Sequence, residues 1–148
     1  MKLAEKSRLK IEEFFREYLE DDAFQLPEIY FYGGKFTHYL TSYLKIEGIT
    51  IGRRIYILPS NFRATENKIL RIDEELAVHE IVHVLQYRRE GFWKFLLKYL
   101  RSYRTNLKGK EQRTAFAKAE AYFEIPYEIE ARQIASSFSA WSKNRKNN

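Results

Sequence analysis

The sequence predicts an α+β fold in one domain: mostly helices, with a small sheet or hairpin ahead of a central helix. Three observations carry this expectation. The 148 residues show no repeat, low-complexity linker or composition break, and 45% are hydrophobic, enough apolar material for one core. The stretch Gly48-Ile-Thr-Ile-Gly-Arg-Arg-Ile-Tyr-Ile-Leu58 places β-branched residues on either side of Gly52-Arg53-Arg54 and stops at Pro59, as a strand or hairpin does. From Asp73 onward, apolar residues recur at helical spacing.

Residues 1–47 read as a helical and aromatic N-terminal segment. Leu3, Leu9, Ile11, Phe14, Phe15, Tyr18 and Leu19 lie among charges at largely helical spacing, and Asp21 and Asp22 close that helix. Pro27 and Gly33-Gly34 bracket Glu28 to Tyr32, a short strand or extended connection, and a short helix is expected from Thr37 to Leu44. Asp73 is a good N-cap, with Glu74 and Glu75 in the first turn of a helix running to about Arg89. Phe92 to Tyr103 is the next helix, Gly109 lies in a polar loop, and Thr114 to Phe123 is helical. Pro126 opens a last helix reaching about Trp141, and residues 142–148 form a polar, frayed tail.

Composition removes several classes of function. Without cysteine there is no disulfide framework, thiol nucleophile or thiolate metal site, so a metal would be held by histidine and carboxylate. Charges scattered through the first fifteen residues argue against a signal peptide, and Lys94 and Lys98 break the most apolar run, Gly91 to Leu100. A cytoplasmic location is expected on these grounds. The net charge of +6 permits anionic partners, but basic residues are spread along the chain except between Arg88 and Lys118.

Chemistry concentrates in His79-Glu80-Ile81-Val82-His83, an H-E-x-x-H pentapeptide inside the central helix. Residues four apart share a helical face, so both imidazoles reach one zinc ion while Glu80 contacts a water bound to it. Leu76, Ala77, Val78, Ile81, Val82, Val84 and Leu85 make the helix apolar on nearly every side, hence buried. A buried helix bearing two histidines and a glutamate needs partners for them, and a metal supplies these.

A hydrolytic zinc site needs a third protein ligand and one open position. The remaining histidine, His38, lies far upstream, which leaves Glu128 and Glu130 in the first turn of the last helix. Glu128 shares a face with Ala131 and Ala135, small residues that permit close helix approach; Glu130 shares its face with Ile134, Phe138 and Trp141. Glu128 is therefore the preferred third ligand and Glu130 the alternative. The one that is not a ligand can salt-bridge or orient a histidine.

His79-Glu80-x-x-His83 followed by Glu128-x-x-Ala131 resembles the gluzincin metallopeptidases, in which a glutamate in an E-x-x-A-D or E-x-x-x-D setting completes a two-His, one-Glu zinc site. The run His-Glu-x-x-His-Val-x-Gln, an aromatic helix, then Pro-x-Glu-x-Glu-Ala looks like short H-E-x-x-H domains of a minimal gluzincin type, over roughly residues 48–140. The resemblance implies a zincin-like fold and a zinc-dependent peptidase acting on peptide or protein. It also implies a cleft-lining strand before the active-site helix, here Gly48 to Leu58, along which substrate pairs. Arg132 stands where E-x-x-A-D has its aspartate, so Glu130 becomes the candidate acid behind a zinc-binding histidine. For the oxyanion, Tyr122, Tyr127, Arg132 and His38 are all candidates, and Gln86 is either a hydrogen-bonding neighbour of the site or a polar helix-edge residue.

Phe92 to Arg104 interleaves aromatics with lysine and arginine, which fits either a peripheral membrane contact or a core helix packed on the central helix. The core reading is preferred, because a domain of this size uses its large apolar residues in the core. Nucleic-acid binding through Arg53, Arg54, Arg88, Arg89, Arg101 and Arg104 has no accompanying motif. The alternatives to a peptidase are a catalytically inactive metal-stabilised module, with Glu130 or His38 closing the fourth position, and a basic protein binding membrane or nucleic acid.

Overall fold

The computed structural model describes residues 2–33, 48–58, 62–64, 69–110 and 114–145, with backbone alone for 62–64 and 69–71. The helix expected from Thr37 to Leu44, and His38 within it, fall outside the described residues. In chain order the elements are β1 (Lys2–Leu3), α1 (Glu5–Leu19), β2 (Tyr30–Tyr32), β3 (Gly48–Ile51), β4 (Arg54–Ile57), β5 (Phe62–Ala64), β6 (Ile69–Ile72), α2 (Glu74–Glu90), α3 (Phe92–Lys108), α4 (Ala115–Phe123) and α5 (Pro126–Asn144). The fold is α+β and mostly helical, as the patterning predicts. No helix among the described residues is long and apolar enough to cross a membrane.

The strands form two small sheets rather than one, ordered β1-β6-β5 and β2-β4-β3. In the second, β3 and β4 are the expected antiparallel hairpin, pairing Gly48 with Ile57 and Ile51 with Arg54. The two-residue turn has Gly52 at φ +63° in its first central position, where a type II′ turn requires glycine. β2 joins parallel to β4, and among the described residues β3 is left at the sheet edge. The first sheet lay beyond sequence reasoning, because strands of two to four residues are too short to display an alternation.

Asp73 caps α2 as expected, its carboxylate accepting the Leu76 N–H at 3.0 Å. Ala77, Val78, Ile81, Val82 and Val84 are buried around this helix, which packs most extensively on α5. Buried Ala131 and Ala135 on α5 leave room for that close approach. Phe14, Phe138 and Trp141 then tie α1 to the far half of α5 through edge-to-face ring contacts.

Two expectations need correction. α5 does not fray at Ser142: it runs to Asn144, Ser142 is buried, and the Trp141 indole and Arg145 guanidinium both donate to Glu17 of α1. Nor is α3 a core helix, since Phe95 is its one buried residue and it continues five residues past Tyr103. It packs by a single stripe, Phe95, Tyr99 and Tyr103, against a small aromatic cluster with Tyr87, Ile125 and Tyr127. Trp93, Leu97 and Leu100 face outward instead.

Candidate metal centre

The helical pitch of α2 brings the His79 and His83 Nε2 atoms to 3.2 Å from each other. Across the helix pair, Glu128 in the first turn of α5 presents Oε2 to His79 Nε2 and Oε1 to His83 Nε2, each at 3.3 Å. The close α2–α5 packing over Ala131 and Ala135 makes this reach available to Glu128. His79, His83 and Glu128 are the one group of potential ligands gathered closely enough to hold a metal ion among the described residues. Ligand atoms bonded to zinc at about 2.0–2.1 Å stand about 3.3 Å apart in a tetrahedral set, so the spacing of these donors fits such an ion.

Hydrogen bonding separates the two oxygens of Glu128. Oε1 accepts the Tyr99 hydroxyl at 2.7 Å, whereas Oε2 is buried without a hydrogen bond. His79 Nε2, at an ion-pair distance of 3.3 Å, is the group this oxygen meets. Such an atom is costly unless a cation or proton is supplied. Burial works against the Glu128 carboxylate, but His79, His83 and Tyr99 outweigh it and hold its pKa well below the usual range. Burial likewise opposes charge on His83, yet Glu128, Glu80 and Gln86 lift it to about 9.

Behind His83 stands Gln86, one turn along α2. Its amide nitrogen donates to the Tyr127 carbonyl and to Glu130 Oε2, both at 3.0 Å, which fixes the amide's orientation. Oε1 must then face His83, where it accepts the Nδ1–H at 2.8 Å and turns Nε2 toward the site. Glu130 is held in turn by a forked contact from Arg89 at 2.8 and 3.0 Å. Glu130, the alternative third ligand, thus supports His83 through Gln86 with both oxygens already engaged.

Glu80 is buried beside the ligand group and senses the charges of His83, His79 and Glu128. Burial raises its pKa, an effect that the histidines and a hydrogen bond from Thr50 only partly offset. The Thr50 hydroxyl on β3 donates to Glu80 Oε2 at 2.6 Å. Gly48, at the start of the same strand, lies so close that a Cβ there would stand 2.5 Å from Glu80 Oε1. The edge strand therefore runs alongside this carboxylate and fixes its position.

The remaining candidates separate clearly. Burial, then the Glu128 and Glu80 charges, push the Tyr122 phenol far above the ordinary value. Tyr127 has its ring on Phe95 and its hydroxyl toward Glu90 and Lys98, contributing to the site through its backbone carbonyl. Arg132 donates to the Phe123 carbonyl and stacks on the Phe123 ring at 4.9 Å, tying α4 to α5, while its Nη1 is buried without a hydrogen-bond partner. His38 lies outside the described residues.

Sequence reasoning did not single out Tyr99, Thr50 or Gly48. Tyr99 reaches Glu128 from a separate helix, a contact no local spacing encodes. Gly48 carried a usable signal, since a glycine opening a β-branched strand marks close approach by another group. Comparison with protein-family models, curated proteins and solved structures returns no match.

Proposed function

We propose that this protein is a zinc-dependent metallopeptidase of gluzincin type, with His79, His83 and Glu128 as zinc ligands and Glu80 as general base. The observation that carries this reading is the convergence of two imidazole nitrogens, 3.2 Å apart, on the buried Glu128 carboxylate at 3.3 Å from each, with a second buried carboxylate alongside. Two nitrogens and one carboxylate oxygen suit zinc, and three protein ligands leave a position for water or substrate. When bound, the metal supplies a Lewis acid and lowers the pKa of a coordinated water.

The chain's own groups do the rest. Glu80, desolvated and held by Thr50, takes a proton from the attacking water and delivers it to the departing amine. Tyr122, whose buried phenol senses the Glu128 and Glu80 charges, is the candidate donor to the oxyanion of the tetrahedral intermediate. Among the described residues β3 pairs on one side only, and an extended peptide adding to its open edge would lie next to Glu80.

A structural site closed by Glu130 is less well supported, because Glu130 has both oxygens committed to Arg89 and Gln86. The test is cleavage of casein by zinc-loaded protein beside Glu80→Gln, which retains every proposed ligand. Loss of cleavage with retained zinc supports the reading; an undiminished rate in Glu80→Gln contradicts it.

A further inference from the structure

The outward face of α3 has no partner among the described residues. Trp93, Leu97 and Leu100 follow one another at i, i+4 and i+7 and are 72%, 67% and 41% exposed. They form one stripe along the helix, opposite the Phe95 and Tyr99 side that packs inward. The same helix carries Lys94, Lys98, Arg101, Arg104 and Lys108 and no acidic residue. Lys94 and Lys98 lie with Glu90, at 3.9 and 2.7 Å, whereas no ion pair among the described residues engages Arg101, Arg104 or Lys108. On the helical wheel Lys94 and Arg101 lie together along one side of the apolar stripe, and Arg104 continues it at its C-terminal end.

We propose that this face seats the protein on the surface of an anionic lipid bilayer, with Trp93, Leu97 and Leu100 entering the headgroup region and the adjoining arginines meeting lipid charge. A tryptophan beside leucines, bordered by cations, suits an interface that is apolar on one side and negatively charged on the other. A second copy of the same helix offers no acidic residue to meet these cations. The inference is independent of the metal reading. It does connect with the site, since the helix that would lie on the membrane is the one whose Tyr99 hydroxyl holds Glu128.

The experiment is co-sedimentation of the full chain with phosphatidylcholine vesicles, with and without phosphatidylserine, beside the double variant Trp93→Ser, Leu97→Ser and the charge variant Arg101→Gln, Arg104→Gln. These side chains are exposed, so circular dichroism of the variants should match the wild type. The proposal predicts binding to phosphatidylserine vesicles, weakened by added salt, at least tenfold weaker in each variant and much weaker on phosphatidylcholine alone. Three outcomes overturn it: no binding to phosphatidylserine vesicles, equal binding to both lipids, or binding unchanged in the Trp93 and Leu97 variant. Sedimentation velocity supplies a fourth, a dimer that the same double variant dissociates, which would make a second copy the occupant.

Discussion

Gln86 accepts the Nδ1–H of His83 at 2.8 Å, with its own amide anchored to the Tyr127 carbonyl and to Glu130. In the proposed zinc site, the place an aspartate commonly takes behind a ligating histidine would fall to this neutral amide, with charge one bond further back in the Glu130–Arg89 pair. Gln86→Leu removes the acceptor at nearly constant volume and should weaken zinc binding by about ten- to a hundredfold. Arg89→Ala, acting through two intermediaries, should weaken it less. Competition against a chromophoric chelator measures both. Equal affinities for wild type and Gln86→Leu would show that the amide does not orient His83.

Tyr99→Phe deletes the hydroxyl that donates to buried Glu128 and leaves its carboxylate without a hydrogen bond among the described residues. The metal-free protein should lose about 2 kcal/mol of stability, the usual size for a hydrogen bond to a buried charge. Zinc should return part of that loss, because a bound cation compensates the same carboxylate. Urea unfolding with and without zinc checks this. A loss identical in both conditions would separate Tyr99 from the metal centre.

Gly48→Ala should act on chemistry rather than on folding. The added Cβ meets the Glu80 carboxylate at 2.5 Å, and the side chain can yield where backbone could not. Displacing a general base by about an ångström lowers kcat by about a hundredfold, with metal content unchanged. Thr50→Val, which removes the donor to Glu80, should lower kcat in the same direction, and Thr50→Ser should restore it. Restoration by valine instead would mean that shape, not the hydroxyl, is what matters at this position.

Tyr122 and Arg132 were equal candidates for the oxyanion on sequence grounds, and their surroundings now give them different expected phenotypes. Tyr122→Phe should lower kcat by about a hundredfold with little change in stability, as loss of an oxyanion donor does. Arg132→Leu should leave kcat near wild type and lower the melting temperature, because Arg132 binds the Phe123 carbonyl and ring. The reverse pattern in thermal unfolding and kinetics would exchange their roles.

The parts legible in the sequence are those that helical periodicity alone determines. His79, Glu80 and His83 lie within one turn of one helix, and Glu128 was separable from Glu130 because the alanines on its face reveal where a second helix comes close. The hairpin was legible through its β-branched residues and Gly52. What escaped were contacts between elements distant along the chain: Tyr99 with Glu128, Thr50 and Gly48 with Glu80, and the first sheet. α3 escaped for another reason, since Trp93, Leu97 and Leu100 have the same spacing whether they face a core or a lipid surface, and only the fold decides which side is covered.

Metal content tests the central claim most directly. Plasma mass spectrometry of the zinc-reconstituted protein should find about one zinc per chain, retained in Glu80→Gln and lost in His83→Ala and Glu128→Ala. Wild-type protein that takes up no zinc, or Glu128→Ala that binds it as tightly as wild type, would contradict the two-histidine, one-glutamate centre.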